Sequence, residues 1–78
     1  MTTYPVTFLK PGQSGVVDRL DLPQEISEKL LELGLCPGET IRVIRWSPFG
    51  DPIEIEILGY RLALRRSEAD HILVTCPQ

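Results

Sequence analysis

The stretch Ile53-Glu54-Ile55-Glu56-Ile57-Leu58-Gly59-Tyr60-Arg61-Leu62-Ala63-Leu64-Arg65 decides the fold. Isoleucine alternates with glutamate, the period-two pattern of a strand with one buried face. Gly59-Tyr60 fits a two-residue type II′ turn, which takes Gly first. That turn sets Ile57 against Leu62, Glu56 against Ala63, Ile55 against Leu64 and Glu54 against Arg65. Branched apolar residues then meet one another, and a carboxylate faces a guanidinium. A slip of one residue would put Ile57 on Arg61 and lose the match, so the pairing is tightly specified.

Working outward, the loop Ser47-Pro48-Phe49-Gly50-Asp51 joins this hairpin to a strand over 40–46. The matching register places Val43 on Ile55, Ile41 on Ile57 and Arg42 on Glu56. Further upstream, 14–20 reads as a first strand, followed by a helix start at Asp21-Leu22-Pro23-Gln24. Ile26, Leu30 and Leu33 form a single apolar stripe on that helix. Gly34 suits a left-handed C-cap, and Pro37 just beyond forbids resumption. Downstream, Ser67-Glu68-Ala69-Asp70 has capping-box spacing and predicts one helical turn, after which Ile72 and Val74 alternate as a last strand. The sum is a mainly β fold: a small five-stranded barrel with one α-helix and a short helical turn before the last strand.

Composition narrows the function. Seventy-eight residues make a single domain, 1–78, with a thin stability margin. The net charge of -3 argues against nucleic acid, whose binders usually carry a basic excess. No apolar run exceeds three residues, so direct membrane insertion is not expected. The opening residues show no basic stretch followed by an apolar one, so a secretory leader is not expected. Cys36 and Cys76 read as two reduced thiols of a cytoplasmic protein rather than a disulfide framework.

Three elements together point to a family. Leu30-Leu31-Glu32-Leu33-Gly34-Leu35-Cys36-Pro37-Gly38 resembles the L-x-x-L-G-x-x-P-G element of the FeoA family. Pro48-Phe49-Gly50-Asp51-Pro52 is similar to that family's central loop, and 62–69 with Ile72 and Val74 to its closing segment. The resemblance implies an SH3-like β-barrel, cytosolic and without enzymatic activity. It implies a role in ferrous iron uptake through contact with the membrane transporter FeoB, whose cytosolic part carries a GTPase domain. Related barrels close the metal-dependent repressors of the DtxR type. The alternative is therefore a free-standing regulatory module that itself binds a transition metal or a peptide. Within the motif, Gly34, Pro37, Gly38, Pro52 and Gly59 have structural explanations as turn and cap residues.

The candidate sites follow from the register. With Ile41, Val43, Ile53, Ile55, Ile57, Leu62 and Leu64 facing inward, the outer face carries Arg42, Ile44, Trp46, Glu54, Glu56, Leu58, Arg61, Ala63 and Arg65. Ile44, Trp46 and Leu58 are apolar residues on that face. They are either covered by the helix stripe as a second small core or left as a docking patch. The partner-binding set is Trp46 with Phe49 and the arginine rim of Arg42, Arg61 and Arg65. The same face leaves a homo-oligomer open. A metal site has only Glu68 and His71 at i, i+3, half of a carboxylate–histidine arrangement; Fe2+ or another transition metal is an association of the family, and no cofactor is required. Catalysis finds no nucleophile–base arrangement, and Gly12 and Gly15 do not form a phosphate loop.

Overall fold

The structure is a computed structural model that describes residues 2–76. Its strands are β1 (Thr3–Pro5), β2 (Ser14–Leu20), β3 (Thr40–Trp46), β4 (Ile53–Ile57), β5 (Tyr60–Leu64) and β6 (Ile72–Thr75). Helix α1 (Gln24–Glu32) separates β2 from β3, and α2 (Arg66–Ala69) separates β5 from β6. The strands form one antiparallel sheet in the order β1-β6-β2-β3-β4-β5. Five of these strands and both helices match the sequence reading. The sixth, β1, was missed: three residues ending in proline carry too little alternation to register as a strand, yet they pair with β6. A 3₁₀ turn at Val6–Phe8 follows, and Val6 and Leu9 from this N-terminal segment are buried. That turn packs against α2.

The β3–β4 pairing has the expected register, with Ile41 opposite Ile57, Arg42 opposite Glu56 and Val43 opposite Ile55. The β4–β5 hairpin differs by two residues. Ile57 pairs with Tyr60, Ile55 with Leu62 and Ile53 with Leu64, so the turn is Leu58-Gly59 rather than Gly59-Tyr60. Both turn residues have positive φ, 52° at Leu58 and 82° at Gly59. That is the type I′ geometry, whose twist matches that of the flanking strands. A shift of two preserves which face each residue occupies, so Leu62 and Leu64 still point inward. It also places Glu56 opposite Arg61 instead of Ala63.

Helix α1 begins later than the capping pattern suggests. Pro23 holds the N-cap position, while the Asp21 backbone N–H donates to His71 O at 2.8 Å. Gln24 turns its amide to Glu28 Oε1 at 3.0 Å. The C-terminus closes as expected. Gly34, at φ 101°, donates to Leu31 O, and Leu35 N–H donates to Leu30 O. These two bonds satisfy the last carbonyls in a Schellman arrangement, with Leu30 and Leu35 buried beside it. Leu33, expected in the apolar stripe, is instead 42% exposed, and fully buried Leu35 takes its place. The chain then makes a turn at Cys36-Pro37-Gly38-Glu39, closed by a 3.0 Å bond from Glu39 N–H to Cys36 O. Gly38 has φ 96°, as a type II turn requires at its third position.

Residues of every strand from β2 to β6, together with Leu30 and Ala69, meet in one apolar cluster. No polar or charged side chain among the described residues is buried. Helix α1 contributes to this single core and does not build a second one on the far face.

Candidate functional site

A bulge in β3 determines where the proposed docking residues go. The β3–β4 register shifts between Val43 and Arg45, leaving Ile44 as the extra residue. A bulge reverses the inward–outward alternation beyond it. Trp46 therefore leaves the outer face to which simple alternation assigned it. It pairs with Ile53 and packs, half-buried, against the core cluster. Its ring carries the Arg66 guanidinium, whose carbon lies 5.6 Å from the ring centroid, a cation–π arrangement.

The loop 47–52 is tied down at each step. Ser47 N–H donates to Pro52 O at 3.1 Å, and Gly50 N–H donates to Ser47 O at 2.8 Å. Asp51 N–H donates to Ser47 Oγ at 3.0 Å. The Asp51 carboxylate in turn accepts the Arg66 N–H at 3.0 Å, fastening the loop to the start of α2. A Cβ built on Gly50 would stand 3.2 Å from Arg66 Nη1, so that guanidinium lies between the loop backbone and the Trp46 ring. The peptide before Pro52 is cis. On this fastened loop Phe49 projects outward, 95% exposed.

Trp46, Phe49 and Arg65 thus share one end of the molecule, and Arg66 belongs with them. Arg65 sits at the N-cap of α2, where its N–H approaches Glu68 Oε1 at 3.4 Å. The capping interaction therefore runs from Glu68 to Arg65, two residues before the Ser67 assigned from spacing. Arg42 and Arg61 are elsewhere. They flank Glu56 on the outer face, and Arg42 forms an ion pair with it at 3.1 Å. Arg42 is four residues from Trp46 along β3, roughly 13 Å of strand. The next rung pairs Arg45 with Glu54. The arginines of β3 and β5 alternate with Glu56 and Glu54 in a ladder on the outer face and do not form a rim around Trp46.

Glu68 and His71 lie at the two ends of a single turn, His71 N–H donating to Glu68 O at 3.0 Å. Among the described residues no group of three or more His, Cys, Asp or Glu side chains converges to hold a metal ion. Cys36 and Cys76 are both free, and the Cys36 thiol donates to Leu31 O at 3.6 Å. Cys76 lines a groove of about 200 Å³ with Tyr4, Phe8, Leu9 and Gln13, a feature of the N-terminal segment that the sequence patterns did not reveal. Among the described residues no helix is long and apolar enough to cross a membrane.

Residues 4–76 match the FeoA domain family. This chain belongs to the FeoA family. It is 33% identical over 66 residues to a Porphyromonas gingivalis protein described as an Fe(2+) transport protein A/Fe(2+) transporter FeoB fusion. That match takes in 85% of this chain but only 8% of the fusion protein. The solution structure of FeoA from Chlorobium tepidum is 34% identical, with a TM-score of 0.89 over 95% of this chain and 70% of that one. A zinc complex of Stenotrophomonas maltophilia FeoA, described as a procaryotic SH3 domain protein, is 33% identical, with a TM-score of 0.77 over 95% of this chain and 89% of that one. The six-stranded sheet with its two helices is accordingly SH3-like, and the family it belongs to serves ferrous iron transport.

Proposed function

We propose that this FeoA domain acts as an accessory module of ferrous iron uptake by docking on the cytosolic part of a FeoB-type transporter. The contact end is the one bearing Phe49, Trp46, Arg65 and Arg66. The observation that carries this reading is Phe49, 95% exposed at the tip of a loop hydrogen-bonded along its length. A large apolar side chain held out by a fastened backbone loses little conformational entropy on binding, so most of its burial is realised as affinity. Arg66, stacked on Trp46, offers an adjacent cationic and planar surface of the kind that anchors interfaces. The fusion of a FeoA-like segment to FeoB in P. gingivalis supports the choice of partner, because fusion raises the effective concentration of a weakly binding module. The expected place of action is the cytoplasmic face, where the GTPase part of such a transporter lies.

A residue-resolved NMR titration with the cytosolic part of a cognate FeoB tests this. Shifts should centre on Phe49, Gly50, Arg65 and Arg66 and spare Arg42 and Arg61. Phe49→Ala should weaken binding at least tenfold while leaving the thermal midpoint within about 4 °C, since an exposed substitution changes stability by no more than ~0.5 kcal/mol. Shifts confined to the Arg42–Arg61 face, or none at millimolar partner, would overturn the site. Stoichiometric ferrous binding by the isolated chain under anaerobic conditions would instead favour a free-standing metal-responsive module.

A further inference from the structure

The sheet has two edges, and they are built differently. On one edge, β1 is three residues long and ends in Pro5, which has no N–H to offer. Such short, proline-bearing edges are protected against further pairing. On the other edge, β5 runs Tyr60-Arg61-Leu62-Ala63-Leu64 with no proline and pairs only with β4 among the described strands. Its closing pair, Ile57 with Tyr60, flanks a two-residue turn and so exchanges both backbone hydrogen bonds. Alternation then gives the N–H and C=O groups of Tyr60, Leu62 and Leu64 to β4 and turns those of Arg61 and Ala63 outward. Leu62, though it faces inward, is only partly buried.

We infer that β5 is a self-pairing edge whose partner is a second copy of this chain, joined antiparallel about a two-fold axis at Leu62. That axis sets Arg61 against Ala63 of the second copy and Ala63 against its Arg61. Both residues of each pair carry outward backbone groups, so the joint closes four hydrogen bonds. On the inward side Leu62 meets its counterpart, continuing the Ile55–Leu62 apolar row.

Charge selects this register. In one chain the outer face presents two rungs, Arg42–Glu56–Arg61 and Arg45–Glu54–Ala63. The two-fold joins the end of one rung to the end of the other. The combined row reads Arg45, Glu54, Ala63, then Arg61, Glu56 and Arg42 of the second copy. No like charges stand opposite each other, and neutral Ala63 is the residue that receives the incoming arginine. Sliding the second copy by two residues, to centre on Arg61, would set that arginine against itself, which is unfavourable. A joint this short buries less than the ~1,200 Å² of a standard interface, so the dimer forms at high protein concentration.

Sedimentation velocity on the full chain from micromolar to millimolar concentration, with amide exchange measured in parallel, tests the joint. The dimer should grow with concentration. The Arg61 and Ala63 amides should exchange at least tenfold more slowly in concentrated than in dilute samples, whereas Tyr60, Leu62 and Leu64 should be protected at every dilution. Ala63→Lys sets a cation beside Glu54 of its own chain but opposite Arg61 of the second copy. It should leave the thermal midpoint unchanged and keep the protein monomeric. Ala63→Pro removes the outward donor itself and should do the same to association. A chain that stays monomeric at millimolar concentration overturns the inference, as does a dimer that survives either substitution.

Discussion

At the C-terminal end of β4, Leu58 is 60% exposed, yet a methyl group placed on Gly34 would stand 2.6 Å from its Cδ1. At the N-terminal end, Phe49 is 95% exposed on a loop held by Ser47 and Asp51. Both are large apolar side chains at the turns of one meander, and exposure alone would class them together. Their surroundings separate them. Leu58 covers the bare backbone of a helix cap, and its positive φ serves the tight turn that puts it there. Phe49 covers nothing, and the bonds around it hold the backbone rather than the ring. An exposed apolar residue is available for a partner when the chain beneath it is fastened and the side chain has no neighbour to protect.

The strongest challenge to this division is Trp46→Ala. Trp46 belongs to the Phe49 end but packs against the core, so its loss should destabilise by about 2–3 kcal/mol, less than a fully buried tryptophan would. For a domain of this size that lowers the thermal midpoint by roughly 10–20 °C. A fall under about 3 °C in a circular-dichroism melt would show that Trp46 is a surface residue. The loop end would then be a loose patch and not a platform. Binding by the Trp46 variant cannot be read without that melt, which is why Phe49 is the cleaner probe of docking.

Next in size is Gly34→Ala, at the other end. The left-handed backbone costs a residue with a Cβ about 1–2 kcal/mol, equivalent to roughly 5–15 °C. The new methyl must also displace Leu58. Combining it with Leu58→Ala separates the two contributions. The double variant should recover the part due to crowding and keep the part due to φ. If Leu58→Ala rescues nothing, Leu58 is as free as Phe49 and the contrast between the two ends fails.

Sequence patterning resolved these regions unevenly, for physical reasons. Alternation located β4 and its pairing with β3 from Ile41 to Val43, because isoleucine and glutamate differ so sharply in the face they prefer. It could not locate the β4–β5 turn, because registers two residues apart leave every side chain on the same face. The deciding factor was the twist of a type I′ turn, strong enough to place Leu58 at φ 52°. The bulge at Ile44 was likewise invisible, and it alone moved Trp46 from the outer face to the core side. Loop chemistry gave the identity of the Phe49 end without its architecture. Asp51 was legible as a turn residue, but its bond to Arg66, fifteen positions away, depends on how the sheet folds back. Arg66 lies outside the arginine rim read from the sequence, and its place on the Trp46 ring depends on the same fold-back.

The smallest of these stability effects bears most directly on the loop. Asp51→Ala removes the acceptor for Arg66 N–H and should cost about 1 kcal/mol, the usual worth of a carboxylate at a helix start, or some 4–8 °C. Asp51→Asn keeps an oxygen at that position and should lose less than half as much. The more telling readout is binding. If Phe49 owes its affinity to a backbone already fastened in place, Asp51→Ala should weaken the proposed FeoB contact severalfold by releasing the loop from Arg66. The Arg66 amide should meanwhile lose its exchange protection. Unchanged affinity with an unprotected Arg66 amide would mean that Phe49 binds equally well from a loosened loop, leaving exposure alone to distinguish it from Leu58.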